Sequence, residues 1–247
     1  MIRKLGIACG LMIVLAVTSG CEKLKARDNQ NKGIKAFNAG KYVDAADYFG
    51  TAIKQDPELT TARLYLGTAY AQQAQQLDPN MDTDESKQFA NNAIQTFEDV
   101  LKTDPKNTSA IAGLAGLYQA LKNLVRSREY YKLQTEIDPD NAVPYYAIAS
   151  TDWMMIRDRA NPLTDEEKAA TAEEGLQFAD KALEKRPTYQ DAMTYKNLLL
   201  REKAAVTKDP AEAKRLLDEA DVWFNKALAQ LKANNEQKAV EETSSSQ

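Results

Sequence analysis

The chain has 247 residues, 43% hydrophobic and 28% charged, with 32 basic against 36 acidic side chains and no histidine. That mix can bury a sizeable core, which excludes a chain disordered throughout, and the acidic balance offers no basic surface for nucleic acid. Without histidine, Ser-His and Cys-His nucleophiles, imidazole acid–base catalysis and zinc sites of ordinary composition drop out, so no cofactor or metal is expected.

Residues 1–20 read as a secretory leader. Arg3 and Lys4 precede the apolar run from Leu5 to Val17, which is too short to span a bilayer, and Thr18, Ser19 and Gly20 follow immediately before Cys21. This Thr-Ser-Gly-Cys ending resembles the cleavage box of bacterial lipoproteins, departing from it at Thr18, where Leu is usual. The resemblance implies that Cys21 becomes the N-terminus and carries lipid on its thiol, with residues 21–25 as the lipidated start and a short linker. An ordinary secretory cut beside an incidental Cys is the other reading. Glu22 rather than Asp follows the Cys, and by the same resemblance this points to the outer membrane, on its periplasmic face, rather than the inner membrane. Cys9 would leave with the leader, so the mature chain has no pair of thiols for a disulfide.

From Lys23 to Pro57 the pattern predicts two amphipathic helices joined at Asn38 to Lys41, with Gly40 taking the positive φ that ends a helix. Another pair of helices starts near Thr60. It carries 14 extra residues between Tyr70 and Ala93, expected to lengthen each helix by seven, with Asp82 and Glu85 forming a capping box. The segment from Thr108 to Pro139 is the plain unit, with Ser127 and Gln134 at two small positions. From Ala142 the long pattern returns, and Thr164 with Glu167 predicts a capped helix starting near Asp165. Asp209, Pro210 and Glu212 announce the last helix. It is expected to end near Asn234 and to cap the fold with Lys214, Arg215, Asp218 and Glu219 on one side, before a polar, disordered tail over 235–247.

Pro57, Pro105, Pro139 and Pro187 lie 48, 34 and 48 residues apart, so one period recurs with insertions. Counted from Ala26, Gly33 is eighth, Ala45 twentieth and Phe49 twenty-fourth; Gly67, Ala93 and Phe97 occupy the same places in the next unit. These spaced residues resemble the tetratricopeptide repeat. The resemblance implies an all-α fold, an α-solenoid of about five helical hairpins over 26–234, two of them lengthened. The long hairpins are either a functional projection or the trace of a duplication.

In proteins with this repeat the first helix of each hairpin lines a concave groove. The resemblance puts Phe37, Leu64, Tyr65, Tyr146, Trp153, Met154 and Tyr195 there, above a floor of Ala112, Gly113 and Gly116. Such an aromatic face suits an apolar peptide, extended or helical, although the same side chains can serve as core between hairpins. The acids at Asp82, Asp84 and Glu85, and at Asp165, Glu166 and Glu167, fall at helix starts, where the dipole already accounts for them. The expectation is a non-catalytic, lipid-anchored periplasmic scaffold for a protein or peptide partner, of the kind that serves an outer-membrane assembly or secretion machine. The alternative is a small-molecule or lipid-binding lipoprotein using the space above Gly113 and Gly116.

Overall fold

The computed structural model describes residues 21–245, except the side chains of 240 and 242–245; the leader expected over 1–20 lies outside the described residues. Ten helices and no strand are found among them. Helix α1 covers 21–38, followed by α2 (Tyr42–Gln55), α3 (Thr60–Leu77), α4 (Asp84–Thr103) and α5 (Thr108–Ala120). Then come α6 (Leu124–Ile137), α7 (Ala142–Arg157), α8 (Asp165–Lys185), α9 (Gln190–Val206) and α10 (Pro210–Ser245). The chain forms two compact units that divide at Leu121 and Lys122, inside the plain 34-residue repeat. The expected all-α fold of successive helical hairpins is what the protein has.

The proline joints share one geometry. Asp56, Asp104, Asp138 and Arg186 each donate a backbone N–H of 2.9 Å to the carbonyl four residues back, at Ala52, Val100, Gln134 and Ala182. Each then turns to φ between −131° and −140°, because the proline that follows clashes with a helical residue before it. The carbonyl of that same residue accepts the N–H three residues on, at Leu59, Asn107, Asn141 and Tyr189, where the next helix begins. Arg186 makes the joint as well as the three aspartates do, so the proline and not the acid sets it.

In the first unit the packing depends on glycine facing phenylalanine. A Cβ built on Gly33 would lie 2.6 Å from the Phe49 ring, so the ring rests on bare backbone. Phe97 is held from two sides, since Cβ atoms at Gly67 and Gly113 would come within 2.9 and 2.6 Å of it. Phe49 and Phe97 are consequently 0% and 3% exposed. The space expected above Gly113 is therefore filled by a core side chain. Gly40, at φ 73°, makes the left-handed turn predicted between α1 and α2.

The first insertion does lengthen both helices, but by less than seven residues each: α3 has 18 residues against 13 in α5, and α4 has 20 against 14 in α6. The remainder folds into the turn, where Asp78 Oδ2 accepts the N–H groups of Asp82 and Thr83 at 2.8 and 3.0 Å. This corrects the Asp82–Glu85 box. The cap is Thr83, whose hydroxyl accepts from Ser86 N at 3.3 Å.

In the second unit the expected cap is present in full: Thr164 Oγ1 accepts from Glu167 N, and Glu167 Oε2 accepts from Thr164 N at 2.8 Å. Its core joins Ala149, Ile156, Leu176, Leu199 and Leu216 from α7, α8, α9 and α10. Asp209 Oδ1 starts α10 by accepting from Ala211 N at 3.0 Å, whereas Glu212 is taken by Arg215 at 2.7 and 2.8 Å instead of closing a box. Helix α10 also continues past Asn234 to Ser245, since no Gly or Pro interrupts that stretch.

Candidate partner-binding face

The residues expected to line a groove fall on both units. In the first, Phe37 of α1 meets Tyr42 and Tyr65 at ring-centroid distances of 5.1 and 6.0 Å, and Tyr65 stacks on buried Phe49 at 5.3 Å and 17°. Phe37 and Tyr65 are thus half-buried against the core of Ala45, Phe49 and Ala62. Leu64 is half-buried beside them in sequence, and its carbonyl accepts the Thr68 hydroxyl at 2.9 Å. The first long hairpin adds a pocket of about 510 Å³ where its tip passes α2, lined by Val43, Gln73, Leu77, Glu85 and Phe89. Gln73 is fixed there by donating to the Tyr42 carbonyl at 3.1 Å.

In the second unit four aromatic rings form a continuous set. Tyr146 and Trp153 lie seven residues apart on α7, about two turns. Tyr195 of α9 bridges them, at 5.7 Å from Tyr146 and 5.8 Å from Trp153. Tyr189, at the start of α9, extends the set to 5.0 Å on the other side of Tyr146 and carries the Arg186 guanidinium 4.4 Å from its ring centroid. All four rings are half-buried, as is Met154 one residue further along α7. Burial, with Tyr195, Asp191 and Tyr189 close by, pushes the Tyr146 hydroxyl up to about 12, and burial likewise raises Tyr195 and Tyr189. These phenols therefore stay neutral and offer hydroxyl groups and ring area without charge. Sequence reasoning missed Tyr189, which counts as a joint residue; its signal is that it directly precedes the helix that carries Tyr195.

Sequence reasoning also missed an ion network behind this set. Asp152, adjacent to Trp153 and fully buried, accepts from Arg128 Nε of α6 at 2.5 Å. The same guanidinium reaches Glu174 of α8 at 2.5 Å, and Lys132 reaches Glu174 at 2.8 Å. Burial outweighs the pull of Arg128 and pushes the Asp152 carboxyl up to about 6, while Glu174 is held low by Lys132 and Arg128 against its own burial. The network pins α6 to α7 and α8 and fixes the helix that presents Tyr146 and Trp153. Its charges are paired with one another, so the charged groups beside the rings are Asp191 and Arg186. No group of three or more acidic or cysteine side chains among the described residues is placed to hold a metal, and none of the described helices is long and apolar enough to cross a membrane. Cys21 is exposed.

Two tetratricopeptide-repeat family models match the chain, over residues 31–78 and 90–150. Over those two stretches the chain is similar to tetratricopeptide repeats. The matched stretches hold the Gly33–Phe49 and Phe97–Gly113 contacts, so the tetratricopeptide repeats' own places are the ones that pack. Among solved structures, a crystal structure of the MamA protein is similar over 86% of this chain and 94% of its own, with 16% identity and a TM-score of 0.60. MamA from Desulfovibrio magneticus RS-1 is similar over 85% of this chain and 96% of its own, with 15% identity and a TM-score of 0.61. At these identities the likeness is one of fold. No curated protein sequence matches the chain.

Proposed function

We propose that this repeat protein is a non-catalytic scaffold, anchored through lipid on Cys21 to the periplasmic face of the outer membrane, that holds a protein or peptide partner for an envelope assembly or secretion machine. Its repeat fold is one suited to protein–protein interaction. The observation that carries the binding face is the set Tyr146, Trp153, Tyr189 and Tyr195: neutral, half-buried rings at α7 and α9, of which α7 is held by the Arg128–Asp152–Glu174 network. Large rigid rings offer contact area at little entropic loss, which suits an apolar segment of a partner. The reading of a small-molecule site loses the Gly113 half of its support, because Phe97 occupies that space and only Gly116 stays open.

The test is capture of partners from membranes of cells making the tagged full chain, beside a Tyr146→Ala/Trp153→Ala variant with unchanged helical circular dichroism. Loss of specific partners from the variant is expected, and retention of the same partners overturns the face. The anchor is checked on the purified chain's mass, which should carry acyl groups that Cys21→Ala lacks.

A further inference from the structure

Among the described residues nothing covers one apolar face of helix α10. Leu217, Phe224, Leu228 and Leu231 are 41, 50, 55 and 42% exposed, and their spacing of seven, four and three residues puts them on one stripe. The stripe runs roughly 21 Å along the helix. Phe224 holds the twenty-fourth place of its repeat, as Phe49 and Phe97 do, yet those two are buried. Where their hairpins have Gly33 and Gly67 in the eighth place, this one has Asn197, whose side chain accepts from Arg201 Nε at 2.9 Å. No glycine seat is available within the hairpin, and Phe224 faces out.

We propose that this face pairs with the same face of a second copy of the chain, as an antiparallel α10–α10 dimer centred between Phe224 and Leu228. The charges beside the stripe are self-complementary in that arrangement. Lys214, Asp221, Lys232 and Glu236 share one flank, and antiparallel pairing brings like flanks together. Centred as stated, it sets Phe224 on Leu228, Asp221 beside Lys232 and Lys214 beside Glu236 of the second copy, each contact made twice by symmetry. These residues now hold only exposed partners, Lys214 with Asp218, Asp221 with Arg201 and Lys232 with Glu236, and such pairs are weak enough to exchange.

The experiment is the molar mass of the full chain in a non-ionic detergent, by light scattering corrected for bound detergent, over a dilution series. A concentration-dependent dimer is expected. Leu228→Glu is exposed and should leave helicity unchanged while weakening the dimer by about tenfold or more, the loss of a central apolar anchor. Asp221→Lys should also weaken it, and Asp221→Lys/Lys232→Asp should restore it. A chain that stays monomeric at about 100 μM, where micromolar association would be complete, overturns the pairing and leaves the face to a helix of another protein. A Leu228→Glu chain that dimerises like the wild type, or a failed charge-swap rescue, overturns the stated register.

Discussion

Two glycines three residues apart on α5 should respond to the same substitution with opposite signs. Replacing an interior helical Gly by Ala raises helix stability by about 1 kcal/mol, other things equal. At Gly116 other things are equal: the site is exposed and a Cβ meets nothing within 4 Å, so Gly116→Ala should stabilise by nearly that amount. At Gly113 the new methyl would stand 2.6, 2.7 and 2.9 Å from three atoms of the Phe97 ring. The ring cannot simply retreat, because a Cβ at Gly67 on its other side would already lie 2.9 Å away. Overpacking of this kind typically destabilises by 1–3 kcal/mol, so after the propensity gain Gly113→Ala should lose about 1 kcal/mol. The assay is urea unfolding followed by circular dichroism, since both tryptophans, Trp153 and Trp223, lie in the second unit and would not follow the first. Shortening the ring should relieve the clash, so Gly113→Ala on a Phe97→Leu background should lose less than on the wild type. Equal gains at Gly113 and Gly116 would refute the two-sided packing of Phe97.

Ser127 fills the small twentieth place that Ala45, Ala93, Gly175 and Ala220 fill elsewhere, and its hydroxyl is buried without a hydrogen-bond partner. Ser127→Ala should therefore stabilise by about 1 kcal/mol, read as a raised urea midpoint at unchanged slope. Arg128→Ala should destabilise by about 3 kcal/mol at neutral pH, because it strands the buried Asp152 carboxylate. Asp152 titrates above its unfolded value, so its neutral form is the one the fold prefers; the loss should be largest above pH 6 and shrink below it, and a pH-independent loss would contradict the burial of that charge. Thr164→Ala should weaken the start of α8 by about 1 kcal/mol. Glu167 is held below the usual carboxylate range by the Thr164 N–H, so its contribution is present above the ordinary value and fades as acid passes through the lowered one. Melting curves from pH 7 down to pH 3 should show the wild type and Glu167→Gln converging, while the Thr164→Ala loss, which removes a hydroxyl acceptor and no charge, persists.

The joints were legible because proline acts locally: it bars the preceding residue from the helix whatever surrounds it, which is why Arg186 behaves like Asp56. The turn after α3 was misread by one residue because Asp78, four and five residues upstream, captures the N–H groups of Asp82 and Thr83. A capping box considers only its own four positions. The Asp152 network was illegible for a similar reason, since its partners lie 24 residues before it and 22 after it and nothing local marks them. For the aromatic residues the helical period alone is silent, because a ring that faces a partner and a ring that faces the next hairpin recur at the same spacing. Contacts show both roles at once: Tyr65 stacks on buried Phe49, and Tyr146 and Trp153 rest against buried clusters while meeting Tyr195.

The same comparison between repeats explains why the end of the fold differs from its beginning. In the first two hairpins a phenylalanine at the twenty-fourth place is absorbed because the eighth place is glycine, and Phe97 gains a further wall from the glycine of α5. In the last hairpin Asn197 stands in the eighth place and no further hairpin follows α10 among the described residues, so Phe224 has neither seat nor wall. Helix α10 does carry the charges of a capping helix, with Lys214 paired to Asp218 and Arg215 to Glu212, but only on part of its circumference. Its apolar face keeps the pattern of a repeat that still expects a neighbour. A helix that retains that pattern offers a seat for another helix, and the matching charges along α10 suit the same face of a second copy, as proposed above.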